Sequence, residues 1–196
     1  MRRICVFCGS SSGVKPEYAQ AARELGSILA QRKIGVVYGG GNIGMMGQLA
    51  QATLESGGEI IGVIPKKLFE KKVAFTELAD LRVVGSMHER KSLMAELADG
   101  FIALPGGIGT LEEFFEVLTW AQLGLHHKPC GLLNISQYYT RLVSFLDHLV
   151  DQQFLEPAHR SMLLIDEHPD GLLQQFETYQ PPNVDKAVWA LRQGHV

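Results

Sequence analysis

The chain has 196 residues, 46% of them hydrophobic and 20% charged, which suits one soluble domain built on a single sizeable core. A net charge of −3 offers no basic surface for nucleic acid or an anionic membrane. No basic-then-apolar leader precedes the first apolar stretch and no apolar run reaches membrane-spanning length, so the expected location is cytoplasmic.

Arg3 to Gly9 reads as a buried strand, then SSSG, then a helix from about Pro16 to Arg32 with Pro16 at a first helical position. Cys5 and Cys8 fall inside this strand, where odd spacing sends them to opposite faces; they read as buried thiols, not as a metal or redox pair. Ile34 to Tyr38 is a second strand that runs into GGGNIGMMG, followed by a helix through Glu55 that Gly57 and Gly58 stop. Glu59 to Ile64 gives a third strand, Lys66 to Leu78 a short helix and a loop, and Leu81 to Val84 a fourth strand; Ser86 opens a helix to Ala98. Phe101 to Leu104 is a further strand, broken by Pro105, Gly106, Gly107 and Gly109 before a helix-period segment from Thr110 to Leu125. A strand at Cys130 to Asn134, a helix from about Tyr138 to Val150, a strand at Leu163 to Ile165 and a helix near Gly171 to Tyr179 complete a domain over residues 1–180, with a tail at 181–196. Apolar strands alternating with helices predict an α/β fold: a single Rossmann-like, doubly wound parallel sheet covered on both faces. Ligands in such folds lie beyond the carboxyl ends of the strands, where three glycine-rich loops would open.

The loop after Leu104 joins a strand to a helix N-terminus, which leaves backbone N–H groups unpaired and suits an anion such as phosphate. It lacks the lysine of GxxxxGK[ST], which argues against nucleoside triphosphate chemistry. Glu112 and Glu113 lie one turn inside that helix. Thr110 with Glu113 also fits a capping box, so spacing alone leaves structural and catalytic roles open. Gly39, Gly41 and Gly44 match GxGxxG, but the acidic residue expected about 20 positions on is absent. Lys66 and Lys67 could receive the extra phosphate of NADP, though close approach of the backbone to a mononucleotide is favoured. Ser10 to Ser12 could bind phosphate or ribose, or simply cap and close a turn. In SMHERK, Ser86 and Glu89 form a capping box, so Arg90 and Lys91 crowd the positive end of a helix. Arg90 there is either a fork for a phosphate or a partner glutamate, or part of a solvated charge run. The seven histidines show no metal-ligand spacing, so no metal is expected. The Thr110 helix is apolar on more than one stripe, which predicts a homodimer packed through it.

Together these residues resemble the LONELY GUY (LOG) family of cytokinin-activating phosphoribohydrolases. The family's PGGxGTxxE is matched by Pro105, Gly106, Gly107, Gly109, Thr110 and Glu113, and its MHxRK by Met87, His88, Arg90 and Lys91. Its YGGGxxGxMG is matched by Tyr38 to Gly41, Gly44, Met46 and Gly47, its FCGSS by Phe7 to Ser11, and its WAQLGxHxKPVG by WAQLGLHHKPCG, with Cys130 as a departure. The likeness runs from the first strand to about residue 150. It implies cleavage of the N-glycosidic bond of an adenosine monophosphate derivative, giving free base and ribose 5-phosphate without a cofactor. It assigns catalysis to Arg90 and Glu113, and substrate binding to Ser10, Gly41, Met87, Lys91, Gly106, Gly107, Gly109 and Thr110. The lysine decarboxylase label that many relatives carry finds no support, because a pyridoxal Schiff base wants a lysine and none lies in the glycine loops. The alternative reading is a nucleotide or molybdenum-cofactor carrier of the same fold, which needs the glycines but no paired arginine and glutamate.

Overall fold

The computed structural model describes residues 1–183, so nearly all of the tail expected from residue 181 lies outside the described residues. Strand β1 (Arg3–Phe7) has every residue after Arg3 buried, as a strand covered on both faces requires. It pairs in parallel with β2 (Gly35–Tyr38) on one side and β5 (Gly100–Ala103) on the other. With β3 (Ile60–Pro65), β4 (Asp80–Val84), β6 (Cys130–Leu133) and β7 (Leu163–Asp166) it makes a seven-stranded parallel sheet in the order β4-β3-β2-β1-β5-β6-β7. The chain therefore winds outward from β1 through β4, then returns and winds the other way from β5. The reversal falls between β1 and β5, and a crevice opens there at the carboxyl ends of the strands.

Helices cover both faces. On one side α1 (Pro16–Gln31), α2 (Gly44–Glu55) and α8 (Pro169–Thr178) bury Leu25, Leu49 and Leu172 against Ile4, Val6 and Val36. On the other, α4 (Met87–Leu97), α5 (Ile108–Gln122) and α6 (Thr140–Asp151) bury Met94, Phe114 and Leu146 against Cys5, Phe7 and Phe101. A single turn, α3 (Lys66–Phe69), follows β3, and α7 (Pro157–Arg160) precedes β7. Cys5 in β1 and Cys8 just after its end do point to opposite faces and into separate cores, and all three cysteines are buried and unpaired with one another. Among the described residues, no helix is long and apolar enough to cross a membrane.

One boundary differs in a way that matters. Helix α5 opens at Ile108, two residues before the expected Thr110, because Gly107 takes the extended conformation of an N-cap residue and the first turn accommodates Gly109. Thr110 and Glu113 are then both inside the helix and form no capping box. The Thr110 hydroxyl instead packs against Gly106, where a Cβ would collide with it.

Candidate active site

The crevice between β1 and β5 widens into a cleft of about 360 Å³. One wall is the first turn of α5. Its N-cap position is a glycine and no side chain caps it, so the leading N–H groups are left for a ligand at the positive end of the helix dipole. The loop after β1 forms a second wall. It is held by Gly9, whose N–H donates to the Pro105 carbonyl (3.1 Å) and whose own carbonyl accepts from the Met45 N–H (3.2 Å). Gly44, with φ +60°, allows that approach: a Cβ there would run into the backbone of Ser10 and Ser11.

The third wall comes from α4. Ser86 caps it, accepting from the Glu89 N–H at 3.1 Å, while the Glu89 carboxylate reaches past Ser86 to the Gly85 N–H at 2.8 Å. That first turn turns Arg90 inward. Its Nε donates to the Val63 carbonyl of β3 (3.1 Å), and its Nη1 lies 2.7 Å from Glu113 Oε1. The side chains are only 9% and 11% exposed, so a guanidinium and a carboxylate 23 positions apart meet as a buried pair in the cleft wall. Of the two readings of Arg90, the fork to a partner glutamate is the one realised. Burial pushes the Glu113 carboxyl above the ordinary carboxylate range, and the Arg90 charge only partly pulls it back. Cys8 lies at the cleft floor, where burial first and the Glu113 charge second hold its thiol far above its usual range, so it is no nucleophile.

Gly39, at the end of β2, makes room for this pair. A Cβ at Gly39 would collide with Arg90 Nη2. The first glycine of the GGG loop therefore sits against the guanidinium, a neighbour that the dinucleotide-fingerprint pattern does not suggest.

Of the expected site residues, Ser10, Met87, Arg90, Gly107, Gly109, Thr110 and Glu113 line the cleft. Three do not. Lys91 is engaged with α5, its Nζ taking Glu112, which does line the cleft, at 2.5 Å and Glu116 at 3.0 Å. Gly41 is drawn away into an antiparallel bridge with Ala74, and Gly106 lines a neighbouring cavity instead. Met46, Leu68 and Ile108 line the cleft and were not expected to. Met46 is the methionine of the YGGGxxGxMG match, a residue type that by itself carries no binding signal. Leu68 lay in a polar stretch with isolated apolar residues and gave no periodic signal.

A family model described as "possible lysine decarboxylase" matches residues 46–176. The Arabidopsis thaliana protein named cytokinin riboside 5'-monophosphate phosphoribohydrolase LOG7 is 48% identical over 191 residues, spanning 96% of this chain and 88% of its own length. The chain belongs to the LOG family. LOG1 of the same plant is 47% identical over 195 residues, with 98% of this chain and 92% of its own length covered. A relative from Oryza sativa subsp. japonica, the probable phosphoribohydrolase LOGL6, is 49% identical over 187 residues, 95% of this chain and 74% of its own. Among solved structures, the molybdenum cofactor binding protein of Rippkaea orientalis superposes with a TM-score of 0.67 at 22% identity, covering 91% of this chain and 97% of its own. The molybdenum cofactor carrier protein of Chlamydomonas reinhardtii does so with 0.69 at 20%, covering 90% and 97%. At those identities the likeness is one of fold. Among the described residues, none that lines the cleft of this LOG-family chain is a lysine.

Proposed function

We propose that this chain hydrolyses the N-glycosidic bond of adenosine monophosphate derivatives, cytokinin riboside 5'-monophosphates among them, to give the free base and ribose 5-phosphate. The observation that carries the reading is the buried Arg90–Glu113 pair one helical turn from the uncapped N-terminus of α5. Scission of a ribosyl C–N bond builds positive charge on the sugar, and a fixed carboxylate beside it stabilises that charge and orients the attacking water. Arg90 holds Glu113 in place and keeps it ionised, while the amides of Gly107 to Thr110 hold the phosphate, whose binding energy positions the sugar. Met46, Leu68, Met87 and Ile108 supply an apolar side to the cleft, suited to the base and to a lipophilic substituent on it. Identities of 47–49% to proteins named phosphoribohydrolases favour this over a carrier role, since the carriers share only the fold. The same reading carries a cytoplasmic location and no nucleic-acid partner.

Incubation with AMP and with isopentenyladenosine monophosphate should release adenine and isopentenyladenine, the prenylated substrate giving the higher kcat/KM. Chromatograms in which both nucleotides stay intact would sink the proposal, and retained binding without turnover would favour a carrier. The acid limb of the kcat/KM profile should lie above the range of an exposed carboxylate. Glu113 acts ionised, and its raised pKa means that protonation begins at higher pH. A limb at the ordinary glutamate position would separate Glu113 from the chemistry.

We further propose a homodimer packed through α5. Leu123 and Leu125, at and beyond its end, are 54% and 70% exposed, and a groove of about 220 Å³ lined by Phe115, Leu118, Leu149 and the 79% exposed Phe154 runs alongside. Sedimentation should report twice the chain mass, and Phe154→Asp should shift the population toward monomer. A wild-type monomer at micromolar concentration would refute this.

A further inference from the structure

The peptide between Gly106 and Gly107 is flanked by two glycines, so little side-chain bulk resists its rotation; a Cβ on Gly107 would meet nothing within 4 Å. Its orientation is set from outside the loop. The Tyr138 hydroxyl donates to the Gly106 carbonyl at 2.6 Å, and the neighbouring Tyr139 hydroxyl donates to the Leu104 carbonyl at 2.7 Å. The intervening Pro105 carbonyl accepts from Gly9. Three consecutive carbonyls thus have donors, and the two outer ones are held by the tyrosine pair. In a trans peptide the N–H of one residue points opposite to the carbonyl of the residue before it, and among the described residues every peptide bond is trans. Fixing the Gly106 oxygen on Tyr138 therefore aims the Gly107 N–H to the other side of the loop. Gly107 borders both the cleft and a neighbouring cavity of about 280 Å³, whereas Gly106 and Tyr138 border only that neighbouring cavity, so the side opposite Tyr138 is the cleft side.

The tyrosine pair is held firmly. Ser136 and Gln137 both take left-handed backbone (φ 49° and 61°), which non-glycine residues keep only where the surrounding structure holds them in it. Asn134 braces the turn, its Oδ1 accepting from the Tyr139 N–H at 2.6 Å and its Nδ2 donating to Thr140 Oγ1 at 3.1 Å. The Tyr138 ring stands edge-on to both Tyr18 and Tyr139.

We propose that Tyr138 is a positioning residue for the substrate phosphate, its hydroxyl selecting the one orientation of the Gly106–Gly107 peptide in which the Gly107 amide faces the ligand. This rests on the reading above that the loop holds phosphate. Tyr139 supplies the internal contrast, because the residue after Leu104 is Pro105, whose nitrogen has no hydrogen. Releasing the Leu104 carbonyl frees no donor.

The experiment is calorimetric binding of ribose 5-phosphate and of adenosine, which lacks the phosphate, to wild type, Tyr138→Phe and Tyr139→Phe. Tyr138 is 42% exposed and phenylalanine keeps its ring contacts, so the fold survives that change. Tyr138→Phe should weaken ribose 5-phosphate about tenfold and leave adenosine unchanged. Tyr139→Phe should lower the melting temperature without a phosphate-specific loss. Unchanged ribose 5-phosphate affinity in Tyr138→Phe, or an equal loss for adenosine, overturns the proposal, as does the same phosphate-specific loss in Tyr139→Phe. Because ribose 5-phosphate binds without turnover, a wild type that holds it but cleaves no nucleotide would defeat the hydrolase reading and leave this test intact.

Discussion

Glu113→Gln should give a folded protein that still binds nucleotide and has lost about 10³-fold or more of its turnover. The substitution removes the negative charge that the developing sugar cation needs, yet the amide oxygen can still accept from Arg90 Nη1, so the buried guanidinium keeps a partner. Glu113→Ala would be a poorer probe. It strands a buried cation, a loss of about 3–5 kcal/mol that confounds catalysis with stability. The linkage sign sharpens the expectation. The folded-state pKa of Glu113 is raised, so its contribution favours the fold below the unfolded-state pKa and is lost as pH rises through the folded one. At neutral pH the native state carries a net cost for this ion despite Arg90, and a neutral isostere relieves it. Glu113→Gln should therefore melt no lower than wild type at pH 8, with the difference shrinking under acid conditions. An active Glu113→Gln enzyme would remove this carboxylate from the mechanism, and a variant melting well below wild type would show that the pair serves the fold first.

Gly39→Ala should cost about 10²-fold in kcat while lowering the melting temperature only slightly. The added methyl meets Arg90 Nη2, the far end of a flexible side chain, so the backbone need not move. The guanidinium has no free direction, however: Nε is committed to the Val63 carbonyl and Nη1 to Glu113. Relief must come from breaking one of those contacts, which misplaces the pair by an ångström or so, and displacements of that size can cost about 10²-fold in rate. Circular dichroism melts set beside steady-state rates check the split. Full activity in Gly39→Ala would mean that the guanidinium position is not critical.

Much of this was legible in the sequence. Continuous apolar runs such as Ile4 to Phe7 and Phe101 to Leu104 announce strands buried on both faces, and glycine clusters at their ends mark where the sheet opens. The opposite facing of Cys5 and Cys8 followed from period two alone. What stayed hidden depended on rotation and on backbone. Arg90 and Lys91 are adjacent in sequence but about 100° apart around the helix, and nothing local says which one turns inward; the Val63 carbonyl that decides it has no sequence signature. Thr110 and Glu113 have capping-box spacing, yet the helix had already begun on Gly107, whose role as an N-cap depends on conformation, not on a side chain. Gly39 looked like part of a phosphate loop because any glycine after a strand does. Its neighbour Arg90 arrives from 51 positions away, past two further strands and two helices. Left-handed backbone at Ser136 and Gln137, which aims the two tyrosines, leaves no trace in residue type.

The placement of β1 at the middle of the sheet has a consequence for how the protein is made. Strand β1 pairs with β5 through the register Ile4 to Gly100, so its second edge is covered only by a strand that comes 96 positions later in the chain. Until then a ribbon that is apolar from Ile4 to Phe7 stands half bare, with the long-range closure that makes parallel sheets slow and prone to associate. Gly39 and Arg90 lie inside that interval and Glu113 just past it, so a nascent chain that stops before Glu113 holds no complete site. Recovery of activity during refolding should accordingly coincide with closure of the β1–β5 seam.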